Sequence, residues 1–415
     1  MSGNEIVALP PDGRLLFLTR FIRLFSYGSL SVILVFYLTG LGLTATQTGT
    51  LLTLILLGDT AVSLGLTTQA DRTGRRRMLI VGAVLMAGAG ITFAFTRNFL
   101  LLVMAGTIGV ISPSGNEVGP FLSIEQAALS EVVADRARTE VFAWYTLTGS
   151  LATAAGSLAA GRLTEILGAR AVTPLGSERA IVILYGALGL LLAILFSGLS
   201  PAAEVCPAPG TGPAKNAALG IGTSRPVVMR LAGLFALDAF GGGFVIQSLA
   251  AYWFYVRFGV PPGLKLGAIF FGANVLAGFS ALAASHLATR FGLVRTMVFT
   301  HLPSNVLLIL IPLMPNVQLA TLALLLRFSI SQMDVPTRQS YTMAIVRPEE
   351  RSAAAGITGV ARTTGAALAP MFVGFLFARR ALINLPFIIA GVLKIAYDLL
   401  LYRAFVRIRP PEESR

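Results

Sequence analysis

The sequence predicts an all-α membrane protein: twelve transmembrane helices in two six-helix bundles, with both termini in the cytoplasm. Three observations predict it. The 415 residues are 55% hydrophobic and only 12% charged, with a mean hydropathy of +0.78, far outside the soluble range. The apolar residues gather in long runs, and the short polar stretches between them carry most of the arginines. A pattern in the first half of the chain also returns in the second, the mark of two related membrane halves.

In order, the apolar runs fall at residues 15–38, 48–69, 78–96, 99–128, 139–161, 180–199, 226–257, 264–288, 296–314, 317–345, 352–377 and 383–403. Most reach about 20 residues, the length a helix rising about 1.5 Å per residue needs to cross a hydrocarbon core of about 30 Å. The first run is too long for a signal-peptide core and has no small-x-small site behind it, so it is expected to stay as the first span. Twelve crossings put both ends on one side. That side carries eighteen Lys and Arg residues against eight on the other, which identifies it as the cytoplasm.

Between the sixth and seventh runs lie Pro201, Pro207, Pro209, Gly210, Gly212 and Pro213, a composition that cannot propagate a helix. The expected organisation is therefore a bundle at 1–199, a cytoplasmic linker at 200–225 and a second bundle at 226–415. The net charge of +13 does not indicate a nucleic-acid partner, because the basic residues are scattered through short loops. A single cysteine, Cys206, excludes an internal disulfide framework, and with two histidines it leaves no Cys/His metal site. No nucleophile-base set or phosphate loop is present, so neither an enzyme nor a cofactor is expected.

The most informative stretch is Asp71-Arg72-Thr73-Gly74-Arg75-Arg76-Arg77, a tight basic hairpin between the second and third runs. Its counterpart is Thr289-Arg290-Phe291-Gly292-Leu293-Val294-Arg295, with Arg72 falling on Arg290 and Gly74 on Gly292. Further on, Glu117-Val118 falls on Asp334-Val335, Arg138 on Arg351 and Gly161 on Gly374. On these residues the chain resembles the major facilitator superfamily of secondary transporters over essentially its whole length. That family's motif reads Gly-x-x-x-Asp-Arg-x-Gly-Arg-Arg; here Asp71, Arg72, Gly74, Arg75 and Arg76 match it. Thr67 replaces the leading glycine, and Thr289 replaces the aspartate of the second copy.

The resemblance implies two bundles around a central cavity lined by spans one, four, seven and ten, with alternating access by rocking of the bundles. It also implies that Asp71 and its arginines hold a cytoplasmic gate, although basic residues that merely anchor a hairpin would explain Arg75 to Arg77 equally. A Gly-Pro pair seen in many antiporters is only half present: Gly149, Gly156 and Gly161 stand in span five, with Ser157 in place of the proline. Close helix packing accounts for such small residues, and export is favoured over uptake on this ground alone.

Independently of any family, charges inside apolar runs are expensive and face partners or a wet cavity. They are Arg20, Arg23, Asp59, Glu117, Glu125, Asp238, Arg327, Asp334, Arg338, Arg362, Lys394 and Asp398. In span ten, Arg327, Ser331, Asp334, Arg338 and Tyr341 follow helical spacing and are expected to form one polar stripe. The expected solute-binding set is Arg20, Arg23, Tyr27, Glu117, Asp238, Arg327, Ser331, Asp334 and Tyr341. Proton coupling is expected at a carboxylate among Asp59, Glu117, Asp238 and Asp334, with an Asp59–Arg362 pair joining the bundles. For Arg338 and Glu125, near the cytoplasmic ends of their spans, a gate pair, snorkelling and solute contact are all open. Lys394 and Asp398 are expected to pair within their own helix, and His286 and His301 to be packing residues. Glycines and prolines beside Glu117 and Asp238 weaken spans four and seven there, by freeing backbone for a ligand or by a kink.

The expected function is secondary transport of a small charged or zwitterionic organic solute by a monomer in the lipid bilayer of a cytoplasmic membrane, with the proton as coupling ion. A transport-inactive scaffold or receptor and a lipid-moving protein are the alternatives.

Overall fold

The computed structural model describes residues 9–116, 119–133, 138–204, 222–347 and 350–406, with the side chains at 71, 72, 138, 139, 285, 289 and 352 outside that description. Among the described residues all regular structure is helical. The first half holds α1 (Pro11–Gly40), α2 (Ala45–Thr73), α3 (Arg75–Phe95), α4 (Phe99–Ile108), α5 (Phe121–Val132), α6 (Arg138–Ala169) and α7 (Pro174–Ser197). The second holds α8 (Arg225–Gly243), α9 (Gln247–Phe258), α10 (Leu264–Phe291), α11 (Leu293–Leu310), α12 (Val317–Ser331), α13 (Asp334–Ile345), α14 (Arg351–Phe377) and α15 (Leu385–Phe405).

Local chemistry sets the helix ends. The Asn98 side chain accepts from the amides of Leu100 and Leu101 to open α4, Thr173 caps α7 ahead of Pro174, and Asn316 caps α12. Gly74 and Gly292 sit at φ +107° and +86°, where a side chain would be strained, so each copy of the basic hairpin turns on its glycine.

Each of the twelve apolar runs is helical, but the fourth, seventh and tenth are each broken into two helices. Among the described residues, nine helical stretches are long and apolar enough to cross a membrane, with α8 and α9 forming one of them. The fourth and tenth runs fall short because neither piece is long enough, and α6 because of its many threonines, serines and glycines. The described part of the break in the fourth run covers 109–116 and 119–120, with Val110 at φ +49°. Two of its carbonyls are satisfied by side chains of neighbouring helices: Tyr185 donates to Val110 O at 2.6 Å and Thr153 to Gly115 O at 3.2 Å. An irregular segment at this depth needs such partners, because lipid supplies none.

The chain divides into two compact units. Unit 1 comprises Met1–Leu41, Gly58–Pro209 and Pro262–Gly267; unit 2 comprises Gly42–Leu57, Gly210–Pro261 and Ala268–Arg415. In unit 1, α1 packs on α6 and α7, and α3 packs on α7. Gly28 and Gly156 allow the α1–α6 approach: a methyl group built at Gly156 would lie 2.0 Å from Phe25 O. In unit 2, α8 packs on α14 and α15, and α11 packs on α12, α13 and α15. The opening turns of α2 belong to this unit, where Thr53 Oγ1 accepts the Met371 amide at 3.0 Å, beside the in-helix Pro370.

Candidate functional site

Each unit buries a cluster of charge, and the basic hairpin forms a third constellation. In the hairpin, Glu204 accepts from the amides of Arg75 at 2.7 Å and Arg76 at 3.1 Å. The Arg75 guanidinium reaches Glu131 Oε1 and Ala203 O, both at 3.4 Å, and Arg76 donates to Leu199 O at 3.3 Å. The motif is thus tied to the end of α5 and to the turn that follows α7. The side chains of Asp71 and Arg72 lie outside the described residues.

The unit 1 cluster is built on α1, where Thr19, Arg20 and Arg23 face α5 and α6. Arg23 and Glu125 form an ion pair in which both side chains are fully buried. Thr19 donates to the other Glu125 oxygen at 3.3 Å, and the Tyr145 hydroxyl donates to the same carboxylate. Arg20 donates through Nε to Tyr145 O at 2.7 Å and lies over the Tyr145 ring at 4.3 Å; Arg23 lies over Phe121 at 4.7 Å. For Glu125, with a gate pair, snorkelling and solute contact all open, the described contacts show an ion pair inside unit 1. Arg20 and Arg23, two of the three arginines in the expected solute-binding set, thus make contacts within unit 1. Tyr27 is fully buried and stacks on Tyr185 at 6.3 Å. Asp59 is buried within electrostatic range of Tyr185, and it lies in unit 1 whereas Arg362 lies in unit 2. Glu117 lies outside the described residues.

Unit 2 holds the larger cluster. Asp238 of α8 accepts from Lys394 Nζ at 2.6 Å on one oxygen and from Arg338 at 3.3 Å on the other. Arg338 also reaches Asp334 at 2.8 Å, one helical turn away, and covers the Phe235 ring at 5.4 Å. His301 of α11 stands between two carboxylates, with Nδ1 2.8 Å from Asp398 Oδ1 and Nε2 3.8 Å from Asp238 Oδ1. Asn305 donates to the second Asp398 oxygen at 2.9 Å. Arg327 lies within electrostatic range of Asp238 and Asp334; Arg362 lies within range of Arg338 first, then of Asp238 and Asp334. Among the described residues, the Nε atoms of Arg327 and Arg362 and the Oγ of Ser331 are buried without a hydrogen-bond partner.

Four expectations are corrected here. Lys394 and Asp398 do not pair with each other: the lysine crosses to α8 and the aspartate to α11. The reason is the company they face, since α15 presents both residues to helices that carry opposite partners. His301 is not a packing residue but the hub of the cluster. The polar stripe of span ten is not one helical face, because α12 ends at Ser331 and α13 starts at Asp334, with a turn between them. Tyr341 does not join a polar wall; it is fully buried with Leu231, Phe235, Met297 and Tyr397, and its hydroxyl donates to Phe405 O at 3.4 Å.

Gly241 and Gly242 make room for the lysine, since a methyl group at Gly241 would lie 3.1 Å from Lys394 Cγ. The glycine run therefore does more than weaken α8. The signals that pointed to the missed residues were polar spacing on two helices, His301 to Asn305 and Lys394 to Asp398, each four apart and each long enough to reach a neighbour.

A sequence model of the Major Facilitator Superfamily matches residues 16–333. An uncharacterized membrane protein of Saccharomyces cerevisiae, YJR124C, is 31% identical over 425 residues, covering 96% of this chain and 94% of its own. Similar solved structures include a bacterial homolog of the human lysosomal transporter Spinster, inward-facing and unoccupied, at 16% identity and TM-score 0.71, covering 98% of this chain and 99% of that one. The nucleoside transporter NupG gives a TM-score of 0.76 at 12% identity, covering 95% and 100%. A D-xylose–proton symporter gives 0.69 at 14%, covering 97% and 99%. At these identities the structures share the fold.

Proposed function

This chain belongs to the Major Facilitator Superfamily, and on that premise we propose that it is a proton-coupled secondary carrier working by alternating access. Its solute is a small organic anion, or a zwitterion that offers its carboxylate or phosphate to unit 2. One observation carries the choice: the unit 2 cluster has more fixed cations than anions. Arg327, Arg338, Arg362 and Lys394 face Asp238, Asp334 and Asp398, and two of the guanidinium groups keep a buried Nε–H without a partner among the described residues. A buried surplus of positive charge is costly, and a bound anion removes the cost while accepting the free N–H groups. Arg20 and Arg23 are dropped from the solute-binding set because Tyr145 and Glu125 already hold them.

Export rests on the small residues of span five, and packing accounts for these: Gly156 lies against Phe25, and Gly161 against Gly263. Direction is therefore read from the assay. Purified protein in liposomes with an imposed pH gradient is offered a panel of acetate, benzoate, succinate, inorganic phosphate, a nucleoside monophosphate, a neutral sugar and choline. Movement of one or more anions, with proton flux, is the expected result. Each of Arg327→Gln and Arg362→Gln is expected to weaken the anion's KM by about 10- to 100-fold, the value of one or two charged hydrogen bonds. Movement of choline or the neutral sugar alone would overturn the reading.

A further inference from the structure

We propose that His301 is the proton-binding group of unit 2, and that the proton lands on its Nε2, facing Asp238. This deepens the carrier reading by naming a residue outside the carboxylates Asp59, Glu117, Asp238 and Asp334. The geometry assigns the tautomer. Nδ1 has an acceptor, Asp398 Oδ1, at 2.8 Å and a donor, the Asn305 amide, at 3.1 Å. The closer contact is to the carboxylate, so Nδ1 carries a hydrogen and donates to Asp398, while Asn305 donates to Asp398 Oδ2. That leaves Nε2 as the lone-pair nitrogen, 3.8 Å from Asp238 Oδ1. A proton on Nε2 would make the ring a cation within ion-pair distance of the Asp238 carboxylate.

Groups around the ring bear on the outcome. Asp238 faces it from α8, Arg338 and Asp334 lie on α13 and Arg327 on α12, and Lys394, Tyr397 and Asp398 on α15; Arg362 of α14 belongs to the same field. With a neutral imidazole, these cations outnumber the carboxylates by one; a proton on His301 makes the surplus two. Asp238 Oδ1, which holds Lys394 Nζ at 2.6 Å, then has a second cation to serve. The lysine is loosened from Asp238, and the field that attracts an anion grows. By linkage, a bound anion draws the proton on to His301 to the same degree. Proton and anion are therefore bound together and move in the same direction, so an inward proton gradient drives uptake.

The chain has only two histidines, His286 and His301, which makes the test direct. In the His286→Gln protein in nanodiscs, labelled with nitrogen-15 histidine, the sole imidazole should be seen in two forms over a pH series, as imidazolium and as the Nδ1–H tautomer. Asp398→Asn should scramble the tautomer. A ring that keeps one form throughout, or a neutral form with the hydrogen on Nε2, overturns the proposal whether or not the protein transports anything. In liposomes, using whichever anion of the panel the wild type moves, His301→Gln should lose about tenfold in gradient-driven accumulation measured relative to its own exchange at equal pH. Unchanged accumulation overturns the coupling role and leaves the carrier reading intact. If the wild type moves no panel member, the carrier reading fails and the resonance titration still judges the proton site.

Discussion

Glu204 holds both backbone amides that open α3, taking Arg75 N at 2.7 Å and Arg76 N at 3.1 Å. The turn before α3 offers no capping side chain of its own, because it must be Gly74 at φ +107°. A carboxylate from the turn that follows α7 therefore supplies the cap, and it also meets the positive end of the helix dipole.

The first prediction concerns this cap. Glu204→Ala should cost about 0.5–2 kcal/mol of stability, the range for losing a capping side chain. The readouts are thermal unfolding in detergent and amide exchange at Arg75 and Arg76, with Glu204→Gln keeping part of the protection. Unchanged exchange at these two amides would remove the cap from the account.

A second prediction concerns the buried pair of unit 1. Arg23 and Glu125 are both fully buried, so removing either one strands the other's charge. Arg23→Leu and Glu125→Leu should each cost about 3–5 kcal/mol, and the double variant should recover much of the loss. Chemical unfolding of the four proteins measures it; additive losses in the double variant would show that the two do not act as a pair.

How far the sequence could reach follows from which forces act within the chain. The helical runs, the hairpin turning on Gly74 and Gly292, and the presence of costly buried charge are local or compositional properties, and they were legible in the chain alone. Pairing was not. Lys394 and Asp398 have the spacing of an intrahelical pair, yet each prefers a carboxylate or imidazole on another helix, and that choice depends on how α15 is rotated against α8 and α11. Spacing also could not show that α12 stops at Ser331, where the Gln332 amide turns to the Ser280 hydroxyl at 3.3 Å and the polar stripe is cut. His301 looked inert because Asp398, its nearest carboxylate, sits 97 residues away in sequence.

The last prediction concerns pH at the start of α8. Glu350 accepts from the amides of Gly222 at 2.7 Å and Ser224 at 3.0 Å, outside the membrane-spanning segments. Hydrogen bonds from the Ser224 side chain and from these amides hold its carboxyl below the usual carboxylate value. A group whose value is lower in the folded state binds fewer protons there than in the unfolded chain. Its stabilising contribution is therefore fully present above the ordinary glutamate value of about 4.3 and is lost as the pH falls through its own lower value. Amide exchange at Gly222 and Ser224 should accelerate as the pH drops through this window, after correction for the intrinsic rate. In Glu350→Gln that acid-dependent acceleration should vanish, because the amide side chain has no proton to gain. Acid sensitivity that persists unchanged in the variant would assign it to another carboxylate, since the loss must disappear together with the group that titrates.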